Sequence, residues 1–301
     1  MNPHKSSVCL LTKPNRSSIM CSMNKLSRKE RAQIIRLLVE GNSLRSVTRI
    51  AGNSINTVSK LLVDLGSACA AYQDEHLRGL TCQFIECDEI WSFVLAKAKN
   101  VPADRKGEFG VGDVWTFTAI DAATKLMPSW MIGDRTPETA RAFMEDLASR
   151  LANRVQLSTD GHRMYLSAVA GAFADDIDFG QMVKVYGQPH DEYARPVGNV
   201  EVIAVARTPI SGEPDESRIS TSYVERANLT MRMGMRRFTR LTNGFSKKVE
   251  NHAAALALHF FFYNYGRPHK SLANPYPRTP AMAAGIADHV WTCEEIAALL
   301  D

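Results

Sequence analysis

Phe84-Ile85-Glu86-Cys87-Asp88-Glu89-Ile90-Trp91-Ser92-Phe93-Val94 is the stretch on which the reading of this chain turns. Its apolar and aromatic residues are strand-like, yet three acids sit among them, and strands disfavour Asp and Glu. A half-buried ionised carboxylate is costly unless a cation or hydrogen bonds compensate it, so the pattern points to a metal. The alternative is an edge strand with one wet face, and from this stretch the two weigh equally. Successive side chains face opposite ways, which puts Glu86, Asp88, Ile90 and Ser92 on one face and Cys87, Glu89, Trp91 and Phe93 on the other. At most one of the neighbours Asp88 and Glu89 is then expected to serve a given site.

Outward from this strand the chain reads as α/β. A polar, Gly-containing turn over 97–112 leads to strands over 114–121 and 126–132, separated by Ala122-Ala123-Thr124-Lys125, so an antiparallel meander is predicted. Thr136-Pro137-Glu138 opens a helix whose apolar stripe, Ala140, Phe143, Met144 and Leu147, runs to Arg150. A short strand over 155–159 ends at Asp160-Gly161, a helix follows over 164–172, and a fifth strand is expected over 182–186. Asp160 therefore sits where a strand gives way to a loop, the place where open α/β sheets build their sites, although Asp-Gly is also a plain turn signal. Residues 187–218 are rich in Gly, Pro and charge and read as a loop or insertion, with only the 200–206 run ordered. A helix resumes after Thr221, carrying Glu225, Asn228, Leu229 and Arg232 along one face. The apolar helix over 246–263 reads as core, with His252 and His259 packed in it, and a proline-bearing segment precedes a last short helix near 292–299.

Upstream, Ser27-Arg28-Lys29-Glu30 fits a capping box, and Ser43 and Ser54 can cap two more short helices. The tight Ala51-Gly52-Asn53 break between the second and third helices, with basic charge around it, resembles a helix-turn-helix DNA-binding unit. In that reading Asn56, Thr57 and Lys60 face outward on the reading helix, and Arg45 and Arg49 contact the DNA backbone. A small bundle that only packs is the alternative. The predicted divisions are a loose basic tail over 1–23, the helix-turn-helix unit over 24–66, a linker helix over 67–80, an α/β domain over 81–275 and a C-terminal extension over 276–301.

Charge agrees with this division. Residues 1–80 carry 12 Lys/Arg and 5 Asp/Glu, net +7; residues 81–225 carry 14 and 22, net −8; residues 226–301 carry 10 and 5, net +5. An acidic centre suits a cation, and basic flanks suit a polyanion. Residues 226–249 hold seven Lys/Arg and no acid, a surface fit to track phosphates, on which Arg226, Asn228, Arg232, Arg236 and Arg237 are candidate DNA contacts. The longest apolar runs are too short for a membrane span and the polar N-terminus lacks a signal-peptide core, so a cytoplasmic protein is expected. Six cysteines lie scattered without a C-x-x-C pair, which indicates neither a zinc knuckle nor a disulfide framework.

Three carboxylates then stand out: Asp88, Asp160 and Glu225, spaced by 72 and 65 residues. With them the chain resembles the ribonuclease-H-like DDE transposases and integrases, and most closely the bacterial insertion-sequence-1 type. Cys87-Asp88-Glu89-Ile90-Trp91-Ser92-Phe93 looks like that group's first-aspartate strand, Thr159-Asp160-Gly161 like its second, and Tyr223-Val224-Glu225-Arg226 like its glutamate helix. Tyr263-Asn264-Tyr265-Gly266-Arg267-Pro268-His269 is similar to the segment that follows the glutamate in many integrase relatives. The resemblance covers roughly residues 80–275. It implies a ribonuclease-H-like mixed sheet flanked by helices, a bacterial, nucleoid-associated enzyme that acts as a homo-oligomer on double-stranded DNA, and two Mg²⁺ (or Mn²⁺) ions.

By that resemblance Asp88 bridges the ions, Asp160 and Glu225 each complete one shell, water frees a DNA 3′-OH, and the 3′-OH attacks target DNA. Hard cations take oxygen ligands, and two ions about 3.5–4 Å apart clamp attacking and leaving oxygens, so converging carboxylates suit this chemistry. No Ser or Tyr nucleophile is needed. His162 is a candidate to orient water or phosphate, with a plain surface role as the alternative. Cys9 and Cys21 lack the spacing of the N-terminal zinc finger found in many such relatives. A nuclease or junction resolvase of the same fold, and a DNA-binding regulator on an inactive transposase body, are the rival readings. Strand parity further predicts that Glu89→Gln keeps metal-dependent cleavage while Asp88→Asn loses it.

Overall fold

The computed structural model describes residues 26–187, 202–239, 242–272 and 274–301. The expected tail over 1–23 lies outside them. Helix α1 (Arg28–Val39) starts at the capping box read from the sequence, in which Ser27 and Glu30 satisfy each other's backbone N–H. Helix α2 (Leu44–Ala51) is capped by Ser43 and ends at Gly52, whose left-handed φ of 73° makes the tight break to α3 (Ile55–His76). The boundary expected at 66/67 does not exist. Helix α3 runs unbroken for 22 residues, because Gly66 is packed against Ala254 rather than ending a helix. Leu62, Leu65 and Cys69 of α3 share the main core with Ala254, Ala257 and Leu258, so the N-terminal helices are joined to the body by buried apolar surface.

The sheet has six strands: β1 (Phe84–Val94), β2 (Gly112–Asp121), β3 (Trp130–Gly133), β4 (Val155–Asp160), β5 (Ile177–Tyr186) and β6 (Val202–Ser211). Their order is β3-β2-β1-β4-β5-β6. The β1–β2, β2–β3 and β5–β6 pairs are antiparallel, and β1–β4 and β4–β5 are parallel. This mixed sheet flanked by helices is α/β and consistent with the ribonuclease-H-like expectation. Three bounds differ from those read in the sequence. Strand β3 starts four residues later than the apolar run beginning at Leu126, because the Leu126 carbonyl turns back to accept the Asp121 N–H and close the meander's turn. Strand β5 begins at Ile177, and the 187–218 segment read as a loop contributes β6 along the sheet's edge.

Helix α4 (Pro137–Ala148), with Thr136 as N-cap and Pro at its start, and α5 (Met164–Phe173) cover one face. Helices α6 (Ser222–Gly234) and α7 (Val249–Phe261) follow, with α6 against the β1 face that carries Ile90. Short helices α8 (Pro280–Ala283) and α9 (Cys293–Ala298) close the chain. The C-terminal stretch is no free extension: Arg28 and Arg31 of α1 both pair with Asp301. Among the described residues no helix is long and apolar enough to cross a membrane.

Candidate metal centre

Strand β1 sits in the middle of the sheet, and its two faces are anchored differently. Glu86, on the even face, is 3% exposed, and its Oε2 accepts the backbone N–H of Tyr223 at 2.7 Å and of Val224 at 3.1 Å. A strand carboxylate thus caps the N-terminus of α6, where Thr221 makes no side-chain cap and the helix's positive end favours an anion. One residue pair along the same face, Asp88 Oδ2 accepts from Asn228 Nδ2 at 2.9 Å, and Asn228 Oδ1 in turn accepts from the Thr118 hydroxyl at 3.4 Å. Helix α6 is therefore tied to β1 at two points one helical turn apart.

Asp160 is the last residue of β4, one position beyond the final β1–β4 pair, Cys87 with Thr159. Its carboxylate stands where the two strands part. Ligand oxygens of Asp88, Glu89 and Asp160 lie within 4.8 Å of one another. Strand parity holds, since Ile85 and Cys87 of the odd face pack in one core and Ile90 of the even face in the other. The conclusion drawn from it does not. At a strand junction a site can be reached from both faces, and Glu89, one methylene longer than Asp, reaches round from the odd one. The expectation that only one of the pair can serve the site is thereby corrected.

Glu89 is the most buried of the three, with a side chain 1% exposed. Its Oε2 accepts from Arg135 Nη2 at 3.2 Å, while its Oε1 has no hydrogen-bond partner. Burial, with Asp160 and Asp88 adding to it against Tyr165 and Arg135, pushes Glu89 up to about 7. Burial also pushes Asp88 up to about 6, helped by Asp160 and Glu225 and opposed by hydrogen bonds from the Glu89 backbone and Asn228. The donor set is all oxygen, with one buried oxygen orphaned, which fits a hard divalent ion.

Glu225 is beside this cluster, close enough to act on Asp88, but not in it. Both its oxygens accept from Lys184 Nζ at 2.5 Å, and its Oε1 accepts from the Thr221 hydroxyl at 2.7 Å. His162 stays near Asp160 through its backbone N–H, which donates to Oδ1 at 3.1 Å, while its ring Nδ1 accepts from Met164 N at 3.4 Å and so serves the start of α5.

The DNA candidates separate by environment. Arg45, Arg49, Asn56, Arg226 and Arg236 are exposed, Thr57 and Arg232 half-buried. Lys60 is exposed but paired with Asp64 at 2.5 Å. Asn228 is buried on Asp88 and is not available to DNA. Arg237 Nη1 donates to the Ser246 hydroxyl at 2.9 Å and the Asn251 carbonyl at 2.7 Å, which makes it a strut for the chain between α6 and α7. On α6 the face read as polar and basic turns partly inward at Asn228, because the helix lies on the sheet; Arg237 stands beyond the end of that helix.

Arg135, Lys184 and the capping role of Glu86 were missed in the sequence. Glu86 shares the period-two face of Asp88, a signal the sequence carries; Arg135 and Lys184 reach the centre only through the strand order, which no local pattern carries.

No family model and no curated protein matches this sequence. Among solved structures, the chain is similar to one titled "Crystal structure of a pre-cleavage Mos1 transpososome", with 12% identity and a TM-score of 0.20 over 54% of this chain. The match spans 61% of that chain.

Proposed function

We propose that this chain is a transposase that uses divalent cations to cut and join DNA, binding the terminal inverted repeats of a bacterial insertion sequence. The observation that carries the reading is the convergence of Asp88, Glu89 and Asp160 at the parting of β1 and β4. Asp88, Asp160 and Glu225 would hold two ions, Mg²⁺ or Mn²⁺, and Glu89 joins the ligands of the centre between the strands. When bound, such ions polarise the phosphodiester and supply a nucleophile at neutral pH.

The chain's own groups do the rest. Asn228 and Thr118 fix the Asp88 carboxylate, and Glu86 fixes the helix from which Glu225 projects. In cleavage, a water oxygen bonds to phosphorus and the P–O3′ bond breaks, with the leaving 3′-oxygen taking a proton. In joining, that 3′-hydroxyl bonds to a target phosphorus and the target's own P–O3′ bond breaks, so no protein–DNA ester forms. Exposed Arg45, Arg49 and Asn56 on α2 and α3, and Arg226 and Arg236 near the centre, support a helix-turn-helix reader and a phosphate path, with a homo-oligomer holding two ends.

The test is strand transfer by the purified chain with pre-cleaved element ends, a target plasmid and Mg²⁺ or Mn²⁺. Joined product that vanishes in Asp88→Asn, Asp160→Asn and Glu89→Gln is expected. Cutting without joining would point to a resolvase, and full activity in Asp88→Asn would overturn the reading.

A further inference from the structure

Arg135 stands on the turn between β3 and α4, and its Nη2 lies 3.2 Å from Glu89 Oε2 and 3.9 Å from Asp160 Oδ2. One guanidinium nitrogen thus serves two of the three clustered carboxylates. Beneath it lies the Trp115 ring, 4.6 Å from Cζ, and the side chain is 34% exposed. The two carboxylates Arg135 uses are among the three whose oxygens converge here, so a divalent ion bound at the cluster would share them. A cation that took them would leave Arg135 without its counter-charges but still seated on Trp115, which holds it through the ring's face and not through the acids. A planar guanidinium left in that position, partly open to solvent beside a metal, is matched in shape and charge to a phosphate.

We propose that Arg135 is a phosphate-binding residue of this centre. In the ion-free state it neutralises Glu89 and Asp160; once a divalent cation holds those carboxylates, its guanidinium is released to grip a phosphate of the DNA being processed. The proposal rests on reading the centre as a metal-dependent DNA transferase. The competing view is a structural ion pair that fastens the β3–α4 turn to β1. The two differ in sign: a competitor for the carboxylates weakens metal binding, whereas a fastener supports it.

The experiment uses the full chain, wild type, Arg135→Ala and Arg135→Lys. Mn²⁺ affinity without DNA is read from the free-ion paramagnetic resonance signal. Affinity for a short duplex of arbitrary sequence is read by fluorescence anisotropy across a salt series, once in EDTA and once in saturating Mn²⁺. Arg135→Ala is expected to bind Mn²⁺ about two- to fivefold more tightly, the range for a partly exposed charge pair. Its duplex affinity should equal wild type in EDTA. In Mn²⁺ it should fall about tenfold, the worth of one charged hydrogen bond, with a salt slope shallower by about one. Arg135→Lys keeps the charge and should lie between the other two in Mn²⁺. Weaker Mn²⁺ binding by Arg135→Ala, an equal loss of duplex affinity in EDTA and Mn²⁺, or no loss in Mn²⁺ would each overturn the proposal. Wild type that binds no Mn²⁺ would instead bring down the reading of the centre, and the proposal with it.

Discussion

Removing the charge from Asp88 and Glu89 should stabilise the ion-free protein, and by more as pH rises. Burial pushes Asp88 up to about 6 and Glu89 up to about 7, from ordinary values of 3.8 and 4.5. An acid whose folded-state pKa is raised keeps its proton longer in the folded chain than in the unfolded one. Its contribution is full below the unfolded pKa and is lost as pH climbs through the folded one. At about 1.36 kcal/mol per pH unit, displacements of this size correspond to roughly 3 kcal/mol for each group. The two carboxylates repel each other, so part of that energy appears in both figures, and a joint effect of about 4 kcal/mol is expected between pH 4 and 8. For a chain of this length that is on the order of 6 °C in Tm. Buried His252 and half-buried His259 and His269, held down at about 3, 4 and 4, act in the opposite sense, losing stability as pH falls below their unfolded value. The quantity to measure is therefore the difference between wild type and Asp88→Asn/Glu89→Gln, in which the histidines cancel. In EDTA, urea or thermal unfolding should show the double variant gaining on wild type by about 4 kcal/mol from pH 4 to 8. Mg²⁺ at a hundred times its Kd at pH 8 should narrow the gap by about 2.7 kcal/mol. A difference that does not change with pH would refute the electrostatic account of the centre.

Glu86→Ala leaves one buried and one part-buried N–H at the start of α6 without an acceptor and should cost about 1–2 kcal/mol in urea unfolding, after the relief of a buried carboxylate is allowed for. Glu86→Gln keeps an acceptor oxygen and should cost about 1 kcal/mol; if both variants cost nothing, the cap is not what seats α6. Gly66→Ala would set a methyl 2.4 Å from Ala254 Cα on α7. Its gain in helix propensity, about 1 kcal/mol, is smaller than the strain of separating two packed helices, so a net loss of about 1–3 kcal/mol in thermal unfolding is expected.

What the sequence made legible follows from range. Caps and periodicity are local, so the starts of α1, α2, α3 and α4 could be read at Ser27, Ser43, Ser54 and Thr136. The end of α3 could not. Gly66 looks like a break in one dimension and is a contact in three, because the residue that requires its small size, Ala254, lies far along the chain. Strand β6 was hidden for the same reason: its residues are exposed on both sides, so no alternation marks them, and only pairing with β5 makes them a strand. In the centre, acids inside an apolar run flagged β1, and Asp160 was marked by its place at a strand end. Parity then misled about Glu89, since it describes the faces of a continuous sheet and Asp160 sits at the point where β4 leaves it.

The same geometry explains why the basic residues of the centre escaped notice. Arg135 and Lys184 come from β3–α4 and from β5, strands on either side of the β1–β4 pair, and each reaches a different acid: Arg135 takes Glu89 and Asp160, Lys184 takes Glu225. Asp88 is held by the Asn228 amide and pairs with neither cation. Three of the four acids gathered here are thus faced by two cations of the same acidic segment, and the fourth by a side-chain amide. A divalent ion entering beside Asp88 would meet no cation on that carboxylate; to take Glu225 it would have to displace Lys184, which holds both oxygens, and at Glu89 and Asp160 it would share the carboxylates with Arg135. On the reading proposed above, both cations would then stand beside the ions, where a phosphate group of DNA would meet positive charge.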